Sequence, residues 1–412
     1  MQNTQGATED RLNIQTTTPK LEKFISGLFE NLQYGKLRIQ WSNGTVREYV
    51  GKNASRHAGL ESSLVIHDSR FYKRVLSGGT LGFAESYLDG QWSSSNLAKL
   101  LEILSLNLHQ FEAKIDKNIL FKSIQRLIHV LRPNTRRGAQ KNIHAHYDLG
   151  NDFYSQWLDP SMTYSSARFS NSDMSLEEAQ WEKYRALADM IDLRSNHHVL
   201  EIGCGWGGFA EFAAREIGCK VTGLTISREQ LAYAQNRIAE KGLADRVDLK
   251  FMDYRDMTEQ FDRIVSIEMF EAVGEKYWPT YFNQIHDCLK PGGQAGLQII
   301  TIDNKRFAAY RKRTDFIQKY IFPGGMLPSP EKLGRAFTHA NLHQFDRHDF
   351  GIDYADTLAQ WCATFLEKWD DISQLGFDKK FRRMWQFYMA YCEAGFRSGH
   401  IDVSQFALKK QT

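Results

Sequence analysis

The feature that most restricts the fold is a regular alternation of strand and helix patterns in the second half of the chain. After a capping box formed by Ser175 and Glu178, a helix is predicted to about Asp192. The segments that follow are HHVLEI, GFAEFAAREIG, KVTGLTI, SREQLAYAQNRIAEKG, RVDLKFM, DRIVSIEMF, WPTYFNQIHDCLK and QAGLQIITI, with Pro291-Gly292-Gly293 as a stop before the last strand. Alternation with short turns predicts an α/β fold with a doubly wound, mostly parallel sheet.

A cluster of glycines follows the first of these strands. In the stretch VLEIGCGWGGFA, four glycines fall within six residues, and Gly203, Gly205 and Gly208 fit G-x-G-x-x-G. Glycines at this point let a ligand approach the backbone at the carboxyl end of the strand, and a dinucleotide would need an acid at the end of the second strand. That strand ends in GLTIS, and an acid, Glu201, instead precedes the glycines. The alternative is an ordinary turn between strand and helix, although such a turn needs only one or two glycines.

The glycine loop with its preceding acid resembles that of class I S-adenosylmethionine (SAM) methyltransferases, a Rossmann-like fold. In that family the glycines admit the methionine part of the cofactor. Further blocks narrow the resemblance: HAHYDLGNDFYSQWLDPSMTYSSA, DYRD, RIVSIEMFEAVG, QKYIFPGGMLPS and DYADTLAQW occur in the order seen in cyclopropane fatty acid synthases, over residues 144–361. The segment GTLGFAESYLDGQW is similar to that family's N-terminal domain. The resemblance implies transfer of a methylene or methyl group from SAM to the double bond of unsaturated fatty acyl chains of phospholipids.

The resemblance also implies which residues contact the cofactor. They are Tyr164 and Ser165, closing over SAM, Gly203 and Gly205 at its amino-acid end, Thr225 and Gln230 at its ribose, and Asp253 and Tyr254 at its adenine. Local structure offers alternatives for several of them. The Tyr-Ser pair could be a simple turn, Gln230 also completes a capping-box pattern with Ser227, and DYRD could be only a polar turn.

A second implied site concerns the base that closes the ring. When an alkene attacks the cofactor's methyl group, a carbocation results, and a cyclopropane forms only when the delivered methyl loses a proton. Family members hold a bicarbonate ion as that base through a Cys, a Glu, a His, a Tyr and a main-chain Ile, and the corresponding residues here are Ser166, Glu271, Gln298, Tyr354 and Ile300. Ser and Gln depart from the pattern but can donate hydrogen bonds, so bicarbonate could still bind. We predict a cyclopropane product, with a methyl or methylene branch without ring closure as the alternative.

The chain is predicted to have four regions. Residues 1–20 are expected to be disordered, 21–110 to form a smaller mixed α+β N-terminal domain associated with lipid, 111–143 to form a basic linker, and 144–412 to form the catalytic domain. The linker carries eight Lys or Arg against one acid over 114–141, on an apolar pattern of helical spacing. It is predicted either to face an anionic membrane or to be an ordinary packed linker helix. The aromatic residues of the tail segment WQFYMAYCEAGF either line an acyl tunnel or pack as a helix.

Composition sets limits on partners and location. The net charge of +3 is too small to indicate nucleic-acid binding. The five cysteines are scattered without a CxxC pair, so we expect neither a metal site nor a disulfide framework. No secretory signal and no membrane-spanning run is found. We therefore expect a cytoplasmic protein that is peripheral on the inner face of the membrane, and the family resemblance suggests a homodimer. A methyltransferase for a soluble small molecule or RNA, and a non-catalytic lipid carrier, are the rival functions.

Overall fold

The computed structural model describes residues 20–111 and 149–411. Contacts divide the chain into two units, Met1–Arg136 with Asp378–Ser398 (unit 1) and Arg137–Phe377 with Gly399–Thr412 (unit 2). The predicted disordered N-terminus lies almost wholly outside the described residues. All of the predicted linker except its first residue also lies outside them, so both remain predictions.

The helices of the described residues are mostly short, and none of them is long and apolar enough to cross a membrane. Residues 20–29 are helical. The helices after them are α1 (Arg70–Leu88), α2 (Leu97–Leu106), α3 (Asn151–Ser155), α4 (Leu176–Met190), α5 (Gly208–Phe212), α6 (Arg228–Glu240), α7 (Trp278–Cys288), α8 (Asn304–Tyr310), α9 (Phe316–Tyr320), α10 (Pro330–His339), α11 (Gly351–Glu367), α12 (Trp369–Gln374) and α13 (Lys379–Arg397).

Unit 1 contains a four-stranded sheet in the order β2-β1-β3-β4. Its strands are β1 (Lys36–Gln40), β2 (Val46–Val50), β3 (Glu61–Ile66) and β4 (Trp92–Ser93). Strands β1 and β2 are antiparallel, and Gly44 in their connection takes a φ of 86°, which glycine adopts readily. Strands β1 and β3 are parallel. Asn43-Gly44 lies in the connection of this hairpin, where such a pair is common, and the mixed pairing agrees with an α+β arrangement.

Helix α13 comes from the end of the chain but belongs to unit 1. Arg383 donates from Nε to the carbonyl of Tyr87 at 2.5 Å and from Nη2 to that of Trp92 at 2.8 Å. The side chains of Trp385 and Met389 on this helix are 1% and 0% exposed. The sequence-based boundary included this segment in the catalytic region, whereas the contacts group it with the N-terminal unit. Trp385 and Met389 are therefore buried in helix α13, and the acyl tunnel remains a prediction.

Unit 2 contains a seven-stranded sheet in the order β10-β11-β9-β8-β5-β6-β7. Its strands are β5 (His198–Ile202), β6 (Lys220–Thr225), β7 (Val247–Phe251), β8 (Phe261–Ile267), β9 (Leu289–Ile302), β10 (Leu342–Asp349) and β11 (Ile401–Lys410). Strands β5 to β9 pair in parallel, and β11 is antiparallel to both β9 and β10. The predicted doubly wound, mostly parallel sheet is confirmed.

Two strand boundaries differ from the prediction. Strand β9 begins at Leu289 and continues through Pro291-Gly292-Gly293, which was expected to be a stop. The register against β8 shifts between Phe261 and Arg263, so the Pro-Gly-Gly run is an irregularity within the pairing. Strand β8 ends at Ile267, three residues earlier than its apolar pattern predicts. Glu268 then takes a positive φ of 50°, which ends the extended conformation.

The sheet of unit 2 is covered on both faces, because consecutive residues of its central strands enter different cores. Val199 and Val265 belong to a cluster with helix α4 residues such as Leu187. Their chain neighbours Leu200 and Ile264 belong to a second cluster on the other side of the sheet. Burial on both faces explains why these strands are continuous apolar runs.

The predicted capping box of Ser175 at the start of α4 is confirmed.

Candidate active site

The candidate site lies where the parallel strands of unit 2 end. Strand β5 is central, with β6 and β7 on one side and β8 and β9 on the other. The chain first adds β6 and β7 on one side of β5 and then adds β8 and β9 on the other side, so the strand order reverses between β5 and β8. A crevice forms at such a point, outside the carboxyl ends of the strands. The segments that follow β5, β7 and β8 carry five of the residues that the sequence assigned to cofactor and base, namely Gly203, Gly205, Asp253, Tyr254 and Glu271.

The glycines after β5 serve two different purposes. Gly203, Gly205 and Gly207 have φ values of 86°, 50° and 84°, which strain other residues. A Cβ on Gly207 or Gly208 would meet Ala234 at 3.1 Å or Tyr184 at 2.6 Å, so close packing explains these two. A Cβ on Gly205 would meet no atom of the described residues within 4 Å. Packing does not require a glycine at 205, and the open space beside its backbone leaves room for a ligand.

Two buried charged side chains lie behind this loop. Glu201 is 3% exposed, and its Oε2 has no hydrogen-bond partner within residues 20–111 and 149–411. Burial raises the pKa of Glu201 to about 8, against the opposing charge of Lys183. Lys183 is fully buried, donates to Oγ of Ser165, and has a pKa lowered to about 7 by burial. The unsatisfied carboxyl oxygen is suited to accept from a ligand's positively charged amino group, which also favours the ionised form of Glu201.

The two residues assigned to the ribose lie together after β6. The hydroxyl of Thr225 donates to Oε1 of Gln230 at 3.3 Å. The backbone N–H of Gln230 donates to Oγ of Ser227, which caps helix α6. Only this half of the capping-box pattern forms, because the Gln230 side chain turns to Thr225. The contact of Thr225 and Gln230 with a ribose remains a prediction.

The two residues assigned to the adenine lie in a short turn after β7. Asp253 accepts hydrogen bonds from the backbone and the guanidinium of Arg255, with an ion-pair distance of 2.6 Å. The pKa of Asp253 is lowered chiefly by this side-chain hydrogen bond. The ring of Tyr254 packs against that of Tyr281 at 5.3 Å between centroids. The turn therefore accounts for the contacts of Asp253 without a ligand, and its role at an adenine remains a prediction.

An aromatic wall surrounds the residue that was predicted to close over the cofactor. Within 6 Å of the Tyr164 ring centroid lie the ring centroids of Tyr154, Trp157 and Trp361, at 5.4, 5.7 and 5.4 Å. Tyr354 packs edge-on against Trp361 at 6.2 Å. An apolar wall of this kind excludes water, which protects a reactive cation from being quenched.

The centre of the site is Glu268, a residue that the sequence analysis missed. Its Oε1 accepts hydrogen bonds from the backbone N–H of Ser166 at 2.8 Å and from Nε2 of Gln298 at 2.7 Å. Its Oε2 accepts one from the hydroxyl of Tyr354 at 2.6 Å. Three groups that were assigned to an external anion thus bind a carboxylate of the chain itself.

The two residues that depart from the family pattern donate to the Glu268 carboxylate, and not to an external anion as expected. The hydroxyl of Ser166 donates to the carbonyl of Ala167 at 2.8 Å, so only the backbone N–H of Ser166 reaches Glu268. Gln298 is fully buried, and its Oε1 accepts from Nε2 of Gln405 at 3.1 Å. This contact directs Nε2 of Gln298 toward Glu268. The expectation that the Ser166 hydroxyl donates to the anion is corrected by this geometry.

Glu271, the predicted acid of the base site, lies beside Glu268. Its Oε1 accepts from the backbone N–H of Ile300 at 2.5 Å, while its Oε2 has no hydrogen-bond partner in the part of the chain that the structure describes. Burial raises the pKa of Glu271 to about 8, and the charge of Glu268 adds to this. The Glu271 carboxyl is therefore mostly neutral at pH 7.

One weak signal could have indicated Lys183, and none indicated Glu268. In helix α4 the buried side chains include Ala179, Lys183, Tyr184 and Leu187, so the lysine occupies the apolar stripe of the helix. Glu268 was predicted to lie inside a strand, and its donors come from distant parts of the chain.

Comparison with known proteins decides the family. The family model described as mycolic acid cyclopropane synthetase matches residues 134–406. The chain belongs to this family. The tuberculostearic acid methyltransferase UfaA1 of Mycobacterium tuberculosis is 37% identical over 395 residues, which cover 91% of this chain and 88% of that protein. A cyclopropane-fatty-acyl-phospholipid synthase of Escherichia coli is 37% identical over 346 residues, covering 82% and 86%.

Solved structures of the family agree with this assignment. The cyclopropane synthase MmaA2 from Mycobacterium tuberculosis has a TM-score of 0.61 at 31% identity, and covers 68% of this chain and 100% of its own. The mycolic acid cyclopropane synthase CmaA1, in complex with SAH and CTAB, has a TM-score of 0.61 at 31% identity, and covers 66% and 98%. This member of the cyclopropane synthetase family is a SAM-dependent methyltransferase that modifies lipids, as its sequence blocks predict.

The residues of this family member fit one of the two implied small molecules and do not fit the other. The open space at Gly205 and the unsatisfied oxygen of Glu201 fit SAM. Bicarbonate does not fit the groups that were assigned to it. Ser166, Gln298 and Tyr354 already bind the Glu268 carboxylate, and the N–H of Ile300 binds Glu271. The expectation that these donors could hold a free ion is therefore corrected.

Proposed function

We propose that this methyltransferase transfers the methyl group of SAM to the double bond of an unsaturated acyl chain of a phospholipid, and that a cyclopropane ring is the product. The observation that carries the proposal is a pair of neighbouring buried carboxyl groups, Glu268 and Glu271, in a site walled by aromatic rings. Removal of a proton from an acyl cation needs a base in a site that excludes water. The names of the relatives, a cyclopropane-fatty-acyl-phospholipid synthase among them, support the lipid substrate.

Each part of the site has a role in this proposal. Gly205 leaves room for the amino-acid end of the cofactor, with Gly203 beside it in the same loop, and the free oxygen of Glu201 accepts from its amino group. When bound, SAM supplies a methyl group on a positively charged sulfur. Tyr164 closes the aromatic wall over the site, which keeps water away from the cationic acyl chain. Lys183 holds the closing segment, Tyr164-Ser165, through its hydrogen bond to Ser165.

A second product is favoured by one comparison. A relative that covers 91% of this chain is named a tuberculostearic acid methyltransferase, and others are named fatty acid methyltransferases. In this alternative the acyl cation loses a proton without closing the ring, which leaves a methylene branch. A saturated methyl branch requires a hydride donor in addition, because the methylene group must be reduced.

Expression in a host that lacks cyclopropane lipids distinguishes the two products. Acyl chains from the host are analysed by proton NMR before and after mild catalytic hydrogenation. A ring gives upfield cyclopropane protons that survive hydrogenation, whereas a methylene branch gives vinylic protons that disappear. Mass alone does not separate these two, because both products add the same atoms. Unmodified acyl chains in cells that contain folded protein would contradict the proposed function.

We also propose that the protein works as a peripheral protein on the inner face of the membrane. The reasons are the substrate class and the basic pattern over 114–141, since Lys and Arg near an anionic surface each contribute about 1 kcal/mol. A methyltransferase for a soluble substrate would not respond to liposomes. A homodimer is proposed from the family resemblance alone.

A further inference from the structure

The observation behind this inference is that the chain fills its own anion site. Three hydrogen-bond donors converge on the Glu268 carboxylate at 2.6 to 2.8 Å, and all three belong to residues that the family resemblance assigns to bicarbonate. The two departures from the family pattern, Ser166 and Gln298, both donate to this carboxylate. A free anion and the Glu268 carboxylate would compete for the same donors.

The arrangement around Glu268 is held in place from several sides. Gln405 binds both Oε1 of Gln298 and the carbonyl of Lys183, at 3.1 and 3.0 Å, which fixes the direction of the Gln298 amide. The backbone N–H of Glu268 donates to the carbonyl of Gln298 at 2.9 Å. Its φ of 50° is unfavourable for a residue with a Cβ. A strained residue at a site is often there for function, because its surroundings must hold it.

Glu268 also lies next to the parts of the chain that form the cofactor site. Its neighbour Met269 packs against Gly203, where an added Cβ would lie 2.8 Å from Cγ of Met269. On the other side, the donor Ser166 directly follows Ser165 of the closing segment. The carboxylate is therefore positioned between the glycine loop and the segment predicted to close over the cofactor.

We propose that the Glu268 carboxylate, and not an exchangeable bicarbonate ion, is the base that completes the reaction. The inference rests on the proposed function. After the acyl chain has taken the methyl group, a C–H bond of that methyl breaks. Its electron pair forms the second C–C bond of the ring, and the proton passes to Glu268, which becomes a neutral acid. Release of this proton to water restores the carboxylate, so no oxidant or reductant is needed.

The two carboxyl groups differ in the way that this role requires. Burial raises the pKa of Glu268, which makes it a stronger base than an exposed carboxylate, while the hydrogen bond from Tyr354 and the charge of Lys183 oppose the shift. Three donors face Glu268, whereas one faces Glu271, whose Oε2 is unsatisfied. Donors stabilise the ionised form of a carboxyl group. Glu268 therefore keeps the negative charge and Glu271 the proton.

The first test measures turnover of the purified full-length enzyme on phospholipid vesicles containing unsaturated acyl chains, in buffer depleted of carbon dioxide. Wild-type turnover is expected to be unchanged when sodium bicarbonate is added. Glu268→Gln keeps the size of the side chain and removes its basicity, so turnover should fall by at least ~10²-fold, the lower range for a positioned base. SAM affinity, measured by calorimetry, should remain close to that of the wild type.

The second test uses Glu268→Gly, which vacates the anion site and suits the positive φ. Added bicarbonate or formate should restore turnover of this variant by at least ~10-fold, because the donors of Ser166, Gln298 and Tyr354 then face empty space. Asn341→Gly is the matched control, since Asn341 has a φ of 52° far from the site. It relieves the same backbone strain without emptying an anion site, so it should show no dependence on added anion.

The outcomes separate this inference from the proposed function. A wild-type enzyme that modifies no acyl chain would contradict the proposed function. If the wild type modifies acyl chains but its turnover rises on addition of bicarbonate, Glu268 is not the base. Near-normal turnover of Glu268→Gln, or a folded Glu268→Gly variant that no anion rescues, would also overturn the assignment.

Discussion

Replacing Gly205 with alanine tests whether the open space at the glycine loop is the cofactor site. Gly205 has a φ of 50°, and an added Cβ would meet no atom of the residues described by the structure within 4 Å. The cost to folding is therefore only that of the left-handed backbone, about 1–2 kcal/mol. If SAM occupies this space, one methyl group there overpacks the complex by about 1–3 kcal/mol. We therefore expect SAM affinity to fall by roughly 5- to 160-fold.

Gly242→Ala is the matched control for this change. Gly242 has a φ of 68° and also leaves its missing Cβ in open space, but it lies in the turn after α6. Both variants should lose a similar few degrees of melting temperature. Titration calorimetry should detect weaker SAM binding for Gly205→Ala alone. Equal SAM affinity of the two variants would refute the placement of the cofactor against Gly205.

Three further predictions concern the buried acids and the basic linker. At pH 7 we expect the turnover of Glu271→Gln to be at least ~10-fold higher than that of Glu268→Gln, because Glu271 is mostly protonated there. Equal losses of turnover in parallel assays would contradict this. The unfolded chain releases the Glu201 proton above pH 4.5 and the folded chain only near pH 8, so this group lowers the unfolding free energy as pH rises. The unfolding free energy of Glu201→Gln, measured with urea and without ligand, should decline less between pH 5 and pH 7 than that of the wild type, by up to about 1.4 kcal/mol per pH unit. An unchanged slope would show that Glu201 is ionised in the folded protein. Joint replacement of Arg132, Arg136 and Arg137 by Gln should weaken binding to anionic vesicles, mostly at low salt, and unaltered binding in vesicle sedimentation would favour the packed linker helix.

The sequence by itself determined the architecture of unit 2 and the position of its glycine loop. Both depend on local signals: apolar strands alternating with amphipathic helices, a capping box at Ser175, and glycines directly after β5. Such signals act over a few residues, so they can be recognised without knowing what packs against them. The family assignment also followed from sequence, because short blocks in a fixed order are specific.

Local patterns predicted the ends of the strands less accurately. The apolar run through Phe270 predicted a longer β8, but the chain turns at Glu268. The Pro291-Gly292-Gly293 run predicted a break, but pairing with neighbouring strands carries β9 through it. In both cases contacts with distant segments outweigh the local preference, since strand pairing depends on partners as well as on the residues themselves.

Only the tertiary structure decided how the base site is built. The three donors to Glu268 come from residues 102, 30 and 86 positions away in sequence. No local pattern relates Ser166, Gln298 and Tyr354, because each approaches from a different element of the fold. The sequence supplied the candidates for an anion site, and long-range packing placed a carboxylate of the same chain at its centre. A hydrogen-bond network depends on distances of a few ångströms between remote residues, and folding alone sets those distances.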